Sequence, residues 1–101
     1  MTKELWYSLG LNEQLSNIHG EVVRLVRARN NFRAGKTSQD HSDEYMKKIH
    51  DLIVITNSDP KNSGRSQELL DEEEKLRRWL VGEVDDRYIL EYWEQYTNAI
   101  S

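Results

Sequence analysis

The sequence contains no cysteine, a single proline and no long apolar run. The absence of cysteine excludes disulfides and thiol catalysis, and it permits a reducing compartment. No stretch approaches the roughly 18 apolar residues of a membrane-spanning helix. The N-terminus also lacks the cationic region and apolar core of a signal peptide. We therefore expect a cytoplasmic protein with no membrane partner.

Residues that commonly carry catalysis or hold metals are also scarce. The three histidines are His19, His41 and His50, and none has a second histidine or a glutamate at the spacing of a helical metal site. No Gly-x-Ser-x-Gly motif of a serine hydrolase is present. The sequence thus predicts no catalytic residue, no metal ligand and no cofactor.

The charged residues are unevenly distributed along the chain. Residues 1–36 carry six basic and three acidic side chains, whereas residues 37–101 carry eight basic and fifteen acidic ones. Halves of opposite charge favour self-complementarity, within the fold or between copies. The net charge of −4 disfavours general nucleic-acid binding, because that function normally uses a basic domain.

The longest regular pattern runs from Leu11 to Phe32. Apolar residues recur there at steps of three and four, which places them on one helix face; they are Leu11, Leu15, Ile18, Val22, Leu25 and Phe32. Arg29 interrupts this seam, and its charge must either reach water along the aliphatic stem or pair with a carboxylate. Such a seam packs against a second helix, of the same chain or of another copy.

Similar patterns predict four further helices, and a length of 101 residues favours a single domain. We expect helices at approximately 3–9, 11–34, 43–56, 66–81 and 86–100, with a polar, flexible loop over 57–65. Ser42 is the predicted N-cap of the third helix. Acid-to-base pairs four residues apart, between Asp71 and Arg78, predict a solvent-exposed face on the fourth helix. The predicted fold is all-α: a small antiparallel bundle of four or five helices built on a long helical hairpin.

A basic cluster lies in the second half of the long helix and just beyond it. It comprises Arg24, Arg27, Arg29, Arg33 and Lys36. Positions 24 and 27 share one helix face, and positions 29, 33 and 36 share another. Cations near a helix C-terminus offset the helix dipole, so the cluster can be purely structural. Alternatively, it binds phosphates or the acidic surface of a partner protein.

The last predicted helix carries more aromatic residues than one narrow seam can bury. Its seam consists of Ile89, Trp93, Tyr96 and Ile100, whereas Tyr88, Leu90 and Tyr92 lie outside it. Either this helix is covered on two sides or it forms an oligomer contact. We predict a homodimer and a protein-contact surface that comprises Tyr88, Tyr92, Trp93 and Tyr96.

Two families of helical enzymes offer partial resemblances. The segments that begin at Glu21 and Glu44 resemble the Glu-x-x-Glu and Glu-x-x-Asp metal motifs of the all-α nucleoside triphosphate pyrophosphohydrolases. Arg24 and Lys47 replace the second carboxylates, which implies a chain without that Mg²⁺ site. Arg29 and Lys36 resemble the basic clamp of the helical chorismate mutases, but the other site residues do not follow. Neither resemblance assigns a family.

The sequence is therefore compatible with three classes of function. The first, which we predict, is a small non-enzymatic protein that binds another protein as a regulator, inhibitor or adaptor. The second is an anion- or nucleotide-binding bundle, whose basic side chains must converge on a concave surface. The third is a helical-bundle enzyme for a phosphorylated or carboxylated metabolite, with a pocket that joins Arg29 to Glu21 or Glu44 and a histidine.

Overall fold

The computed structural model describes residues 2–100, apart from the side chain of Ile100, and contains five α-helices and no strand in that range. They are α1 (Lys3–Ser8), α2 (Leu11–Arg33), α3 (Ser42–Asn57), α4 (Ser66–Leu80) and α5 (Asp86–Ile100). Each helix end lies within one residue of its predicted position. The predicted all-α fold is thus confirmed, while the predicted seam position of Ile100 lies outside the described side chains.

Helices α2 and α3 form the predicted antiparallel hairpin, and their facing seams make the centre of the core. The fully buried side chains of this interface are Leu15, Ile18, Val22, Leu25, Ile49 and Ile53. Phe32, predicted as the last residue of the α2 seam, is instead 40% exposed. It lies in the last turn of α2, beyond Arg29, which contacts Asp40 just before α3 begins.

A buried network of polar side chains ties α1, α2 and the end of α3 together. The indole nitrogen of Trp6 donates to Thr56 Oγ1 at 2.8 Å. Gln14 Nε2 donates to the backbone oxygen of Trp6 at 2.9 Å and to Asp59 Oδ2 at 3.2 Å. Asn62 Nδ2 completes the network by donating to Gln14 Oε1 at 3.0 Å. Because buried polar groups are costly unless they are paired, this set of bonds specifies how the three elements meet.

The segment predicted as a flexible loop, residues 57–65, is anchored to the core. Asp59 and Asn62 are only 5% and 1% exposed, and the chain forms a 3-10 turn over Pro60–Asn62. The backbone N–H of Lys61 donates to Asp59 Oδ1 at 3.1 Å, and the Lys61 ammonium binds the same carboxylate. The polar composition of this segment therefore reflects buried hydrogen bonds and not a loosely held connection.

Two glycines end helices by adopting a left-handed backbone, which glycine reaches at little cost. Gly35, with φ of 75°, follows α2, and its N–H donates to the Phe32 oxygen at 3.0 Å. The next N–H, of Lys36, donates to the Asn31 oxygen at 2.8 Å. Gly82, with φ of 84°, makes the equivalent turn after α4. Helices α4 and α5 are therefore two separate helices.

The acidic side of α4 is not wholly exposed to solvent, which corrects the prediction. Glu72 and Glu73 are only 5% and 6% exposed. Glu73 accepts a hydrogen bond from Arg77 Nη2 at 2.5 Å and lies 2.9 Å from Nδ1 of His50 on α3. An i,i+4 pattern of charges looks the same on an exposed face and at the edge of a helix–helix contact. Here α3 covers Glu73.

Helix α5 packs against both α2 and α4. Ile89 and Trp93 face the core and are fully buried. At the start of the helix, the indole nitrogen of Trp79 donates to Asp86 Oδ1 at 2.6 Å, and Asn30 Nδ2 donates to Asp86 Oδ2 at 2.8 Å. The surplus of aromatic residues on α5 thus follows from a helix that is covered on two sides.

Candidate functional site

Two residues of the predicted basic cluster, Arg24 and Arg27, lie together on an open hollow between α2 and the start of α3. We call this hollow of about 350 Å³ the basic groove; it is lined by Arg24, Arg27, Ala28, Asn31, Thr37, His41 and Tyr45. Its four α2 residues recur at steps of three and four and therefore share one helix face. The short side chain of Ala28 leaves room between its longer neighbours.

A second hollow adjoins the basic groove, because His41 and Tyr45 line both. It measures about 380 Å³ and adds Glu44 and Lys48 of α3. The side chain of Lys48 is 60% exposed, and Glu44 Oε2 lies 3.3 Å from His41 Nδ1. The second hollow therefore adds one acid and one cation, so the excess positive charge is confined to the basic groove.

One buried acid offsets part of the charge around the basic groove. Glu21 is 7% exposed, and its Oε1 accepts a hydrogen bond from Arg24 Nη1 at 2.7 Å and lies 3.1 Å from Lys48 Nζ. Arg27 makes no ion pair within residues 2–100. With one glutamate between two cations and Arg27 uncompensated, the groove keeps a positive charge and free guanidinium donors.

Arg29, the charged residue of the α2 seam, pairs with an acid of its own chain. Its Nη1 donates to Asp40 Oδ2 at 2.5 Å, and the two side chains are 27% and 22% exposed. Asp40 also accepts from the backbone N–H of Ser42 at 2.9 Å and from its hydroxyl. The N-cap of α3 is thus His41, whose side chain makes no capping bond, and not Ser42 as predicted; Asp40 caps the free N–H of Ser42 from one residue earlier. This pair fixes the turn between α2 and α3 and so places His41 at the basic groove.

We expect Asp40→Asn to lower the free energy of unfolding by about 1 kcal/mol at neutral pH, as removal of a helix cap does. The hydrogen bond from the Ser42 hydroxyl and the charge of Arg29 hold the pKa of Asp40 below its ordinary value of 3.8. The native carboxylate stabilises the fold above pH 3.8, and this contribution is lost as the pH falls through the lowered native pKa. The difference in the free energy of unfolding between Asp40→Asn and the unmodified protein should therefore be smaller at acid pH.

Urea unfolding at about pH 7 and about pH 3 measures this deficit. Asp43→Asn is the matched control, because Asp43 is exposed in the first turn of α3 and accepts none of the bonds that Asp40 accepts. We expect a smaller loss for the control. A deficit of Asp40→Asn that is equal at both pH values would contradict the ion pair and the cap.

The last two members of the basic cluster lie away from the basic groove. Arg33 lines a separate hollow that also holds Asp85, Asp86 and Arg87. Lys36 is exposed in the turn after α2. Positions 29, 33 and 36 would share a face only in a continuous helix, and the turn at Gly35 ends that register. The five cations therefore do not converge on one surface.

The predicted protein-contact residues of α5 are mostly covered within the chain. Trp93 is fully buried, so its assignment as a contact residue is wrong; it is part of the core. Tyr92 is half-buried beneath Lys75, whose Nζ lies 3.9 Å from the ring centroid. Tyr96 is half-buried against Trp93, with ring centroids 6.0 Å apart. Of the four, Tyr88 is the one classed as exposed, at 43%.

The side chains that the enzyme hypothesis requires are not brought together. Arg29 is engaged by Asp40, Glu21 is engaged by Lys48, and Glu44 is exposed on α3. Within residues 2–100, no group of three histidine or acidic side chains is placed to hold a metal ion. The two pyrophosphohydrolase-like motifs therefore form no metal site of that kind among the described residues.

Comparisons of the chain with protein-family models, with curated proteins and with solved structures find no significant match. None of the helices described is both long enough and apolar enough to cross a membrane.

Five of the seven residues of the basic groove were not predicted from the sequence. They are Ala28, Asn31, Thr37, His41 and Tyr45. Asn31 could have been found, because it lies seven residues after Arg24 and continues the same helix face. Thr37 and His41 could not, since the path of their turn depends on a pair between Arg29 and an acid eleven residues away.

Proposed function

We propose that this chain is a small non-enzymatic binding protein of the cytoplasm, and that its basic groove holds an acidic segment of another protein. The observation that supports the proposal is the position of Arg27. Its guanidinium lies in an open groove beside a second arginine and has no ion pair within the described residues. A guanidinium fork binds carboxylates through paired, charge-assisted hydrogen bonds.

The rest of the groove suits an extended acidic peptide. The side chains of Asn31 and Thr37 and the hydroxyl of Tyr45 provide neutral hydrogen-bonding groups beside the arginines. Arg24 and Arg27 lie three residues apart on the same face of α2 and both line the groove. Two carboxylates of one peptide segment can therefore each meet a guanidinium.

We expect Arg27→Gln to weaken the binding of a fluorescein-labelled octaglutamate peptide about tenfold at low salt. Loss of one charge-assisted hydrogen-bonding contact costs on the order of 1.4 kcal/mol, which corresponds to that factor. Fluorescence anisotropy measures the dissociation constant. Because both groups are exposed to solvent, the affinity of the unmodified protein should also fall as the salt concentration rises.

Arg33→Gln is the matched control for this experiment. It removes the same charge from the same helix, but from a separate hollow that also holds Asp85, Asp86 and Arg87. We expect binding to change little. Equal weakening by the two substitutions would show attraction to net charge alone and would contradict a site at the basic groove.

A phosphate-bearing ligand is the second candidate for the same groove. It is favoured by the hydroxyl of Tyr45, which can donate to a phosphate oxygen beside the two arginines. ATP added to the anisotropy experiment tests this alternative. Displacement of the peptide by ATP at a much lower concentration than by free peptide would favour the nucleotide, and weaker displacement favours the acidic segment.

Homodimerisation is a further part of this proposal. It is supported by the exposure of Tyr88 and Val81, which are 43% and 72% exposed near the turn between α4 and α5, and by the opposite charges of the two halves of the chain. Light scattering coupled to size-exclusion chromatography determines the mass in solution. A monomer at all concentrations would remove the dimer from the proposal and leave the basic groove unaffected.

A further inference from the structure

A buried acid between α4 and α5 lacks half of its partners. Glu72 is 95% buried, as its exposure of 5% shows, and its Oε1 lies 3.4 Å from the Nζ of Lys75. Its other oxygen, Oε2, has no hydrogen-bond partner in the described structure. Lys75 takes this position in place of the predicted pair with Asp71. A buried carboxylate with one long contact is poorly compensated, since charge is costly to remove from water.

Glu72 lies at a small cleft. The hollow measures about 230 Å³ and is lined by Glu72, Tyr92, Gln95 and Tyr96. Two aromatic rings and one carboxylate are the groups that proteins use to hold organic cations, because ring faces carry negative charge and the carboxylate supplies a counter-ion. We call this hollow the aromatic cleft.

Lys75 shows how a cation is held at the edge of the aromatic cleft. Its Nζ lies 3.9 Å from the centroid of the Tyr92 ring and 3.4 Å from Glu72 Oε1. The arrangement combines a cation–π contact with an ion pair. It leaves Tyr96, Gln95 and the second oxygen of Glu72 for another group.

Two acids, Glu68 and Glu72, and the ammonium of Lys75 lie around the aromatic cleft. Burial raises the pKa of Tyr96 to about 12, and the neighbouring acids Glu68 and Glu72 act in the same direction, so this hydroxyl stays neutral and can donate or accept hydrogen bonds. Burial also raises the pKa of Glu72, with Lys75 opposing that shift. An incoming cation would supply the compensation that Glu72 lacks.

We propose that the aromatic cleft binds one basic side chain of a partner protein, with its guanidinium or ammonium group against the ring of Tyr96 and hydrogen-bonded to Oε2 of Glu72. The volume of the cleft suits a single side chain. A divalent metal ion is a poorer match, because Mg²⁺ and Ca²⁺ require several oxygen ligands and the cleft provides one carboxylate. The aromatic cleft is separate from the basic groove, so an experiment can contradict one proposed site without contradicting the other.

The test uses the full chain labelled with ¹⁵N and titrated with N-acetyl-arginine methylamide. We expect saturable shifts of the backbone amides of Tyr92, Gln95 and Tyr96. The same compound with citrulline in place of arginine has nearly the same shape and no charge, and it should produce no saturation. Saturation with both compounds, or shifts that lie mainly outside these residues, would overturn the proposal.

Glu72→Gln and Glu74→Gln form the matched pair of variants. Both remove one negative charge from α4, but the Glu74 side chain is 59% exposed and faces away from the cleft toward Arg78. We expect Glu72→Gln to weaken binding about tenfold and Glu74→Gln to leave it nearly unchanged. Equal effects would show long-range attraction only. Should Glu72→Gln fail to fold by circular dichroism, Tyr96→Leu tests the same site.

Spermidine distinguishes a protein side chain from a free polyamine. We expect it to bind at the same residues no more tightly than the arginine compound, since the cleft admits one charged group. Much tighter binding of spermidine, abolished by Glu72→Gln, would overturn the assignment to a partner's side chain.

Discussion

Leu25→Asp is expected to unfold the protein completely. Leu25 lies at the centre of the α2–α3 interface and has no exposed surface. An ionised carboxylate there has no partner, and its burial costs several kcal/mol or forces the helices apart, against a total stability of about 5–15 kcal/mol for a small protein. The mean residue ellipticity at 222 nm should fall to that of an unfolded chain.

Leu5→Asp is the control for this substitution. The same change is made in a helix, but Leu5 is 62% exposed and lies in the first half of α1, where an acidic residue is compatible with the helix dipole. We expect a folded protein. If Leu25→Asp also stayed folded but lost a dimeric mass, then the α2 seam would be an intermolecular surface and the hairpin core would be wrong.

Trp6→Ala has the second-largest expected effect. Trp6 is fully buried, although it lies in a helix of only six residues near the N-terminus. Removal of the indole leaves a cavity and breaks its hydrogen bond to Thr56. We therefore expect the free energy of unfolding to fall by about 3–5 kcal/mol. Urea denaturation followed by circular dichroism measures this loss.

Trp6→Phe separates packing from hydrogen bonding at this position. It keeps a ring in the core but cannot donate to Thr56, so its loss should be clearly smaller, about 1–2 kcal/mol. A loss below about 1 kcal/mol for Trp6→Ala would mean that α1 is not part of the cooperative core. The same result would argue against the polar network around Gln14.

The helices of this protein can be predicted from the sequence because the apolar residues follow the helical period for several turns in succession. The seam from Leu11 to Leu25 is such a case, and glycines at positions 35 and 82 mark where two helices end. These signals are local. They depend on residues within one or two turns of each other, so a linear sequence displays them fully.

The positions of the buried polar groups cannot be predicted in the same way. Gln14, Thr56 and Asn62 bond to residues that are up to 50 positions away in the chain. In a sequence, their side chains look like those of any polar surface or loop. Glu73 likewise belongs to an exposed-looking charge pattern, and only the position of α3 shows that it is covered.

The candidate site is intermediate between these two cases. That Arg24 and Arg27 share a face follows from helix geometry, and the structure places both on the basic groove. That Arg29 is not available depends on Asp40, which lies in a turn of irregular backbone. A cluster of cations in a sequence therefore predicts more binding residues than the structure provides, because some of the cations, such as Arg29, form ion pairs within the fold.

Chemical-shift mapping of the octaglutamate peptide on the ¹⁵N-labelled protein tests the central claim most directly, because it shows where an acidic segment binds. We predict saturable shifts concentrated on the backbone amides of Arg27, Ala28, Asn31, His41 and Tyr45, and much smaller shifts around Arg33 and on α5. Shifts spread over all exposed lysines and arginines, or concentrated away from the α2–α3 hollow, would contradict a binding site at the basic groove.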